Sequence, residues 1–271
     1  MTHPVSLTAP QFASSPELVL DLARSLGPLN LTGMFVFDHL VPLGDPRRPV
    51  LEGASTLGAI AATATARVGS LVTRVTLREP AITAGIAIAL AAIAPGRSVL
   101  GLGAGDKMSE DEAVRYGMNR PALNDRIALL EETIALVRGS APNLPIWVGG
   151  RHPKVRAVAA ARADGWNAWG ASPDELRQEG EALRAEAARD VKVTWGGGVV
   201  LAPDQSTLDS AVAARGGLEA IARSGLTAGT PGRIVEHLAA LAATADELVV
   251  SVLPSNRENW LLFSRSVLSH L

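Results

Sequence analysis

This sequence predicts an α/β fold of eight strands with helical crossovers. Two arrangements suit that alternation: a single-domain (β/α)8 TIM barrel, and an open doubly wound sheet. Three observations lead there. Strand-like and helix-like segments alternate along the whole 271 residues. That length fits one barrel, and no linker, composition shift or repeat divides it, so 1–271 reads as one domain. Strand ends also run straight into glycine and then a polar residue, as at Leu100-Gly101-Leu102-Gly103-Ala104-Gly105-Asp106.

The elements follow in order. A short first strand covers 4–8. Ser15-Pro16-Glu17 starts a helix, Ser as cap and Pro at the first helical position, and Gly27-Pro28 stops it. The second strand is 34–37. A helix over 51–65 precedes the third strand, 68–73. Pro80 opens an Ala-rich helix that ends at Pro95-Gly96, before the fourth strand at 98–102. A helix over 121–138 has apolar residues at 127, 130, 134 and 137, the spacing of one helical face. The fifth strand is 146–148, followed by a helix over 153–163 and the sixth strand over 165–169. Ser172-Pro173-Asp174-Glu175 caps the next helix. The seventh strand lies within 191–202 and holds Gly196-Gly197-Gly198. Two helices, 206–223 and 230–244, lead to the eighth strand, 247–252, and a last helix begins near Asn256.

Composition removes several classes of function. The formal net charge is −2 with both signs interspersed, so nothing marks a nucleic-acid surface. The absence of Cys excludes disulfides and thiolate chemistry. The five His stand at 3, 39, 152, 237 and 270, with no pair at metal-ligand spacing. The start of the chain lacks a charged region followed by an apolar run, and the apolar stretch 81–94 is shorter than the ~20 residues of a membrane span. These features predict a cytoplasmic protein with a small-molecule substrate and neither nucleic-acid nor membrane partner. The small residues of 81–94 also suit close packing or a homodimer interface.

Candidate chemistry sits at the strand ends. His39 after the second strand can act as a base, and the other reading of Asp38-His39 is a cap with a histidine serving loop carbonyls. Asp106 can hold a proton beside a flat apolar ligand, or cap the acidic segment that follows it. Gly149-Gly150 before Arg151-His152-Pro153 can present N–H groups and charge to a phosphate, or form a plain tight turn. The spacing Gly101-x-Gly103-x-Gly105 is not a dinucleotide fingerprint. Trp147, Trp166, Trp169 and Trp195 fit barrel packing, with one or two free to wall an aromatic ligand.

Five segments, in order, resemble the bacterial luciferase-like oxidoreductases, above all the branch using the deazaflavin coenzyme F420. They are Val36-Phe37-Asp38-His39; Val68-Gly69-Ser70-Leu71-Val72-Thr73 with Leu77-Arg78-Glu79-Pro80; Pro95-Gly96-Arg97 through Gly105; Pro145-Ile146-Trp147-Val148-Gly149-Gly150; and Ala163-Asp164-Gly165-Trp166-Asn167. Gly229-Thr230-Pro231-Gly232 also matches. The resemblance implies a TIM barrel with the cofactor at its C-terminal mouth and a bulge with a non-proline cis peptide near Leu71-Val72. It implies His39 as base and Asp106 in the place of a glutamic acid. Asp38, Leu71, Val72, Thr73, Gly103, Gly105, Ser109, Gly149, Gly150 and Arg151 are its cofactor-binding positions, and no metal is implied. The activity implied is hydride transfer between F420 and a small organic substrate. Its alternatives are an FMN-dependent monooxygenase using O2 and a non-catalytic flavin-binding barrel. The family's usual insertion near the seventh strand is expected to be short or absent. With three Lys among 25 basic residues, a lysine-built sugar-phosphate clamp is not expected.

Overall fold

The strands pair in parallel and the last closes onto the first. The computed structural model describes residues 3–12, 15–42, 49–106 and 108–271. The strands are β1 (Val5–Thr8), β2 (Gly33–Val36), β3 (Arg67–Ser70), β4 (Thr73–Arg74), β5 (Ser98–Gly103), β6 (Ile146–Gly149), β7 (Gly165–Trp169), β8 (Lys192–Leu201), β9 (Leu226–Gly229) and β10 (Glu247–Leu253). The barrel path runs β1-β2-β3-β5-β6-β7-β8, and β10 pairs with both β8 and β1 to shut it. β4 continues the β3 position against β5, and β9 is an addition along the outer half of β8. This is the closed (β/α)8 arrangement; the open sheet is excluded.

The helices are α1 (Pro16–Ser25), α2 (Gly53–Thr63), α3 (Pro80–Ile93), α4 (Met108–Tyr116), α5 (Leu123–Ser140), α6 (Pro153–Arg162), α7 (Pro173–Glu186), α8 (Gln205–Ala213), α9 (Leu218–Arg223), α10 (Pro231–Ala242) and α11 (Arg257–Ser266). Their starts follow local chemistry. Ser15 accepts from the Leu18 N–H, and Ser172 and Glu175 form a reciprocal capping box on α7. The helix expected over 206–223 is broken into α8 and α9 at Gly216 and Gly217, whose φ values are 81° and 95°. Only glycine takes that backbone cheaply, so the helical ladder stops there. With β9, this excursion forms a short insertion after β8.

Side chains divide between two layers. Phe35, Leu71, Val99, Trp147 and Val249 fill the barrel interior, with the Phe35 and Trp147 rings stacked 5.1 Å apart. A larger apolar layer between strands and helices includes Leu22, Leu57, Leu130, Trp166 and Phe263. At the N-terminal end of the barrel, Glu247 accepts from the Ser6 hydroxyl at 2.6 Å and pairs with Arg67. No described helix is long and apolar enough to cross a membrane.

Candidate active site at the barrel mouth

A cavity of about 460 Å³ opens at the C-terminal ends of β2 to β7, the end where barrel enzymes place their chemistry. Its wall includes Asp38, His39, Leu71, Val72, Gly103, Gly105, Asp106, Gly149, Gly150 and Arg151. Ten of the twelve residues singled out from the sequence therefore converge on one space. Thr73 and Ser109 lie beside it. Thr73 donates to the Ser70 hydroxyl at 2.9 Å inside the barrel, and the Ser109 hydroxyl donates to the Asp106 carbonyl at 2.6 Å.

The floor is apolar and aromatic. Phe37 and Trp169 meet edge to face at 5.2 Å, and Phe12 stacks on Phe37 at 5.5 Å. The Leu71–Val72 peptide between β3 and β4 is cis. Val72 sits in a socket of glycines. A Cβ on Gly149 would lie 2.6 Å from Val72 Cγ1, one on Gly101 3.3 Å from it, and one on Gly103 would overlap Cγ2. The space that these glycines leave is thus occupied by a protein side chain, which itself forms part of the cavity wall.

A buried charge chain supports the His39 side. Arg78 grips both Asp38 oxygens, at 2.6 and 2.9 Å. Asp38 Oδ2 also accepts the Arg74 N–H at 2.9 Å, and Arg74 Nε donates to the Asp38 carbonyl at 2.8 Å. Arg74 Nη2 reaches Glu112 Oε2 at 2.5 Å, and Glu112 Oε1 stands 2.8 Å from His39 Nδ1. Burial pushes the Glu112 carboxyl pKa up, but His39, Arg74 and the Leu40 N–H together outweigh this and hold it below its ordinary value. Asp38 thus has a structural task behind the wall as well as a place on it.

Asp106 caps the following helix from a place on the cavity wall. It lines the cavity while Oδ1 accepts the Ser109 N–H at 2.9 Å in the first turn of α4. Across from it, Arg126 of α5 donates to the Ala104 and Gly105 carbonyls at 2.8 Å each. Arg126 is 9% exposed, its Nε has no partner, and no carboxylate pairs with it among the described residues. Burial and then the neighbouring Arg120 depress its pKa, and the Glu110 and Asp106 carboxylates offset this only in part. By contrast, the other basic groups of the wall are engaged. Arg151 forks onto Glu179 at 2.7 to 3.2 Å and reaches Glu175 at 2.8 Å, which holds Glu175 down to about 2. The Gly150 N–H donates to the Asn167 carbonyl, and His152 caps α6 by accepting from the Lys154 N–H.

Sequence reading passed over Glu112, Arg74 and Arg126. Arg78 stood inside a quoted segment without a role. The one available signal for Glu112 was its place two turns into the acidic helix that Asp106 begins.

The fold and the site define a parallel (β/α)8 barrel with a cofactor-sized, largely apolar cavity at its mouth. The chain belongs to the luciferase-like monooxygenase family, whose sequence model matches residues 1–248. An F420-dependent glucose-6-phosphate dehydrogenase of Nakamurella multipartita is 27% identical over 185 residues, 59% of this chain and 53% of that protein. One of Beutenbergia cavernae is 34% identical over 148 residues, 53% of this chain and 40% of that protein. The chain thus spans about half or less of the curated relatives that it matches. Among solved structures, an F420-dependent secondary alcohol dehydrogenase in complex with an F420-acetone adduct superposes with a TM-score of 0.81 at 16% identity, covering 100% of both chains. The coenzyme F420-dependent tetrahydromethanopterin reductase of Methanopyrus kandleri gives 0.74 at 16% over 99% of this chain and 99% of its own. EDTA monooxygenase from Chelativorans sp. BNC1 gives 0.79 at 12%, covering 99% of this chain and 93% of its own. These likenesses establish the barrel.

Proposed function

We propose that this protein is an F420-linked oxidoreductase that moves a hydride between the deazaflavin and a small organic substrate. The observation that carries this reading is the pairing, within one cavity, of an apolar aromatic floor with the buried Arg126, whose Nε has no partner and which makes no ion pair with a carboxylate among the described residues. A flat heteroaromatic ring joined to a phosphate satisfies both, the ring against Leu71, Val72 and the glycine backbone and the anion at Arg126. Gly103, Gly105, Gly149 and Gly150 offer backbone along this rim, and Asp38, Thr73, Ser109 and Arg151 hold its supports. Bound deazaflavin supplies two-electron hydride chemistry. The protein's share is to exclude water, orient the substrate and manage a proton, with His39 as the base and Asp106 as a second carboxyl at the rim. The F420-dependent relatives support the cofactor assignment.

Titration of the purified protein with F420 and with FMN, followed by fluorescence, tests the reading. F420 binding, with oxidation of reduced F420 by a member of a panel of ketones, aldehydes and enones, is the expected result. FMN binding alone overturns it in favour of the monooxygenase, and F420 binding without turnover across the panel favours the idle barrel. His39→Ala is expected to abolish turnover and keep cofactor affinity.

We further infer a homodimer formed through α3. No charged side chain occurs over 80–93, and Ile82, Ile88 and Ile93 are 58%, 51% and 44% exposed along its outer face. Beside it α2 shows Ser55, Ala59 and Ala62, again without charge. So apolar a surface suits a partner better than water. Light scattering on the protein and on Ile88→Glu checks this: a dimer that the substitution splits is expected, and a monomeric starting protein refutes it. A deazaflavin-linked reaction draws on the cell's own reduced cofactor, which fits a cytoplasmic location.

A further inference from the structure

We propose that Glu112 is a positioning residue that holds His39 as its Nδ1–H tautomer and so leaves Nε2 as the proton-accepting atom at the cavity. The inference rests on reading His39 as the base and says which atom acts and what fixes it. Glu112 Oε1 receives three groups: His39 Nδ1 at 2.8 Å, the Leu40 N–H at 3.2 Å and the Val41 N–H at 3.4 Å. Its other oxygen receives Arg74 at 2.5 Å. A guanidinium and two backbone amides can only donate, and a carboxylate with a depressed pKa can only accept. Nδ1 must therefore carry the hydrogen. Nε2 has no partner among the described residues, and His39 lines the cavity. The side chain of Glu112 is 1% exposed, so water does not compete for its oxygens.

The charged groups around the ring are consistent with this role. Glu112 comes from α4 and Arg74 follows from β4. Asp38 is turned away into the Arg74–Arg78 pair, and Asp106 is held by the Ser109 N–H. Among the described residues, Glu112 is thus the one acceptor placed on Nδ1. In oxidation of an alcohol, the O–H bond of the substrate breaks and its proton forms an Nε2–H bond. The electron pair of the adjacent C–H bond leaves as hydride to oxidised deazaflavin. With the opposite tautomer, Nε2 would already carry a hydrogen and could not accept that proton.

The carboxamide of Glu112→Gln is sterically close but has one acceptor where two are needed. Arg74, the charged and shortest donor on the group, keeps the amide oxygen, so the NH2 turns to His39 and the longer Leu40 and Val41 N–H contacts lose their acceptor. Nδ1 then becomes an acceptor and the hydrogen moves to Nε2. Long-range 1H–15N spectra of histidine-labelled protein at about pH 9, above the ordinary imidazole range, read this directly. The signal to follow is the one that His39→Gln removes. The expected result is an Nδ1–H pattern in the unaltered protein and an Nε2–H pattern in Glu112→Gln. An Nε2–H pattern in the unaltered protein overturns the proposal without any need for the variant to fold, and so does an unchanged Nδ1–H pattern in a folded Glu112→Gln. With oxidised F420 and the alcohol that corresponds to a reactive member of the carbonyl panel, kcat of the variant is expected to fall by about 10²-fold or more at an unchanged KM, and an unchanged kcat overturns the role. If F420 fails to bind, the functional reading falls while the tautomer result stands by itself.

Discussion

Adding one methyl group to Gly149 tests the socket that holds Val72. In Gly149→Ala the new carbon would stand 2.6 Å from Val72 Cγ1, against roughly 3.5–4.0 Å for a comfortable carbon pair, so about 1 Å must open. Rotation of the branched side chain gives little relief, because Gly101 and Gly103 enclose its other positions. Overpacking of this kind costs about 1–3 kcal/mol. Val72→Ala alone removes two carbons at roughly 0.8 kcal/mol each, about 1.6 kcal/mol before any cavity cost. In the double variant the nearest Val72 atom left to the new methyl is Cβ, at 3.7 Å, an ordinary contact. The double loss should therefore fall near that of Val72→Ala alone, below the sum of the singles by about 1–3 kcal/mol. Urea unfolding followed by circular dichroism measures all four corners of the cycle. For a chain of this size each kcal/mol moves Tm by about 2–4 °C, so Gly149→Ala should lower it by roughly 2–12 °C. Additivity within about 0.5 kcal/mol would show that the glycines answer to something other than Val72, and the account of the cavity wall would fail.

Three further outcomes are expected. Gly85→Ala lies on the outer face of α3 with nothing within 4 Å of the new Cβ, so it should stabilise the protein by about 0.5–1 kcal/mol, and a lower Tm refutes the helix assignment of that face. Arg126→Met should weaken F420 binding in fluorescence titration by at least about tenfold, while Arg126→Lys, which keeps the charge, should weaken it less; an unchanged Kd in a folded Arg126→Met removes the anion role. Glu112, with its folded pKa depressed, contributes stability that is fully present above the ordinary carboxylate range and is lost as pH falls through the folded value. The stability difference between the protein and Glu112→Gln should thus be largest near neutrality and shrink on acidification below about pH 4, and a difference that grows there reverses the sign of the argument.

The barrel was readable because strand ends carry their own punctuation. Gly33 to Val36 running into Phe37-Asp38-His39, and Ile146 to Gly149 running into Gly150-Arg151, sit where the pattern places them. Less readable was what the glycines are for. Sequence alone associates Gly103 and Gly149 with a ligand, and the structure gives the nearest space to Val72, a residue from a different strand. Glu112 was unreadable for a related reason. Its partner is 73 residues away, and a helix of charged residues reads as a solvated surface until the roll of α4 is known. Arg151 shows the reverse case: a basic residue after Gly-Gly suggests a phosphate, yet Glu175 and Glu179, both on α7, take its charge.

One feature of the fold bears on biosynthesis. β10 pairs with β1 on one side and with β8 on the other. While the chain is still emerging from the ribosome, both those strands therefore expose a full edge of backbone donors and acceptors, and Arg67 and Ser6 wait for Glu247, 180 and 241 residues downstream. The barrel closes only once β10 has been made. Until then the free edges of β1 and β8 are templates on which another chain could pair, the hazard that unpaired strand edges carry.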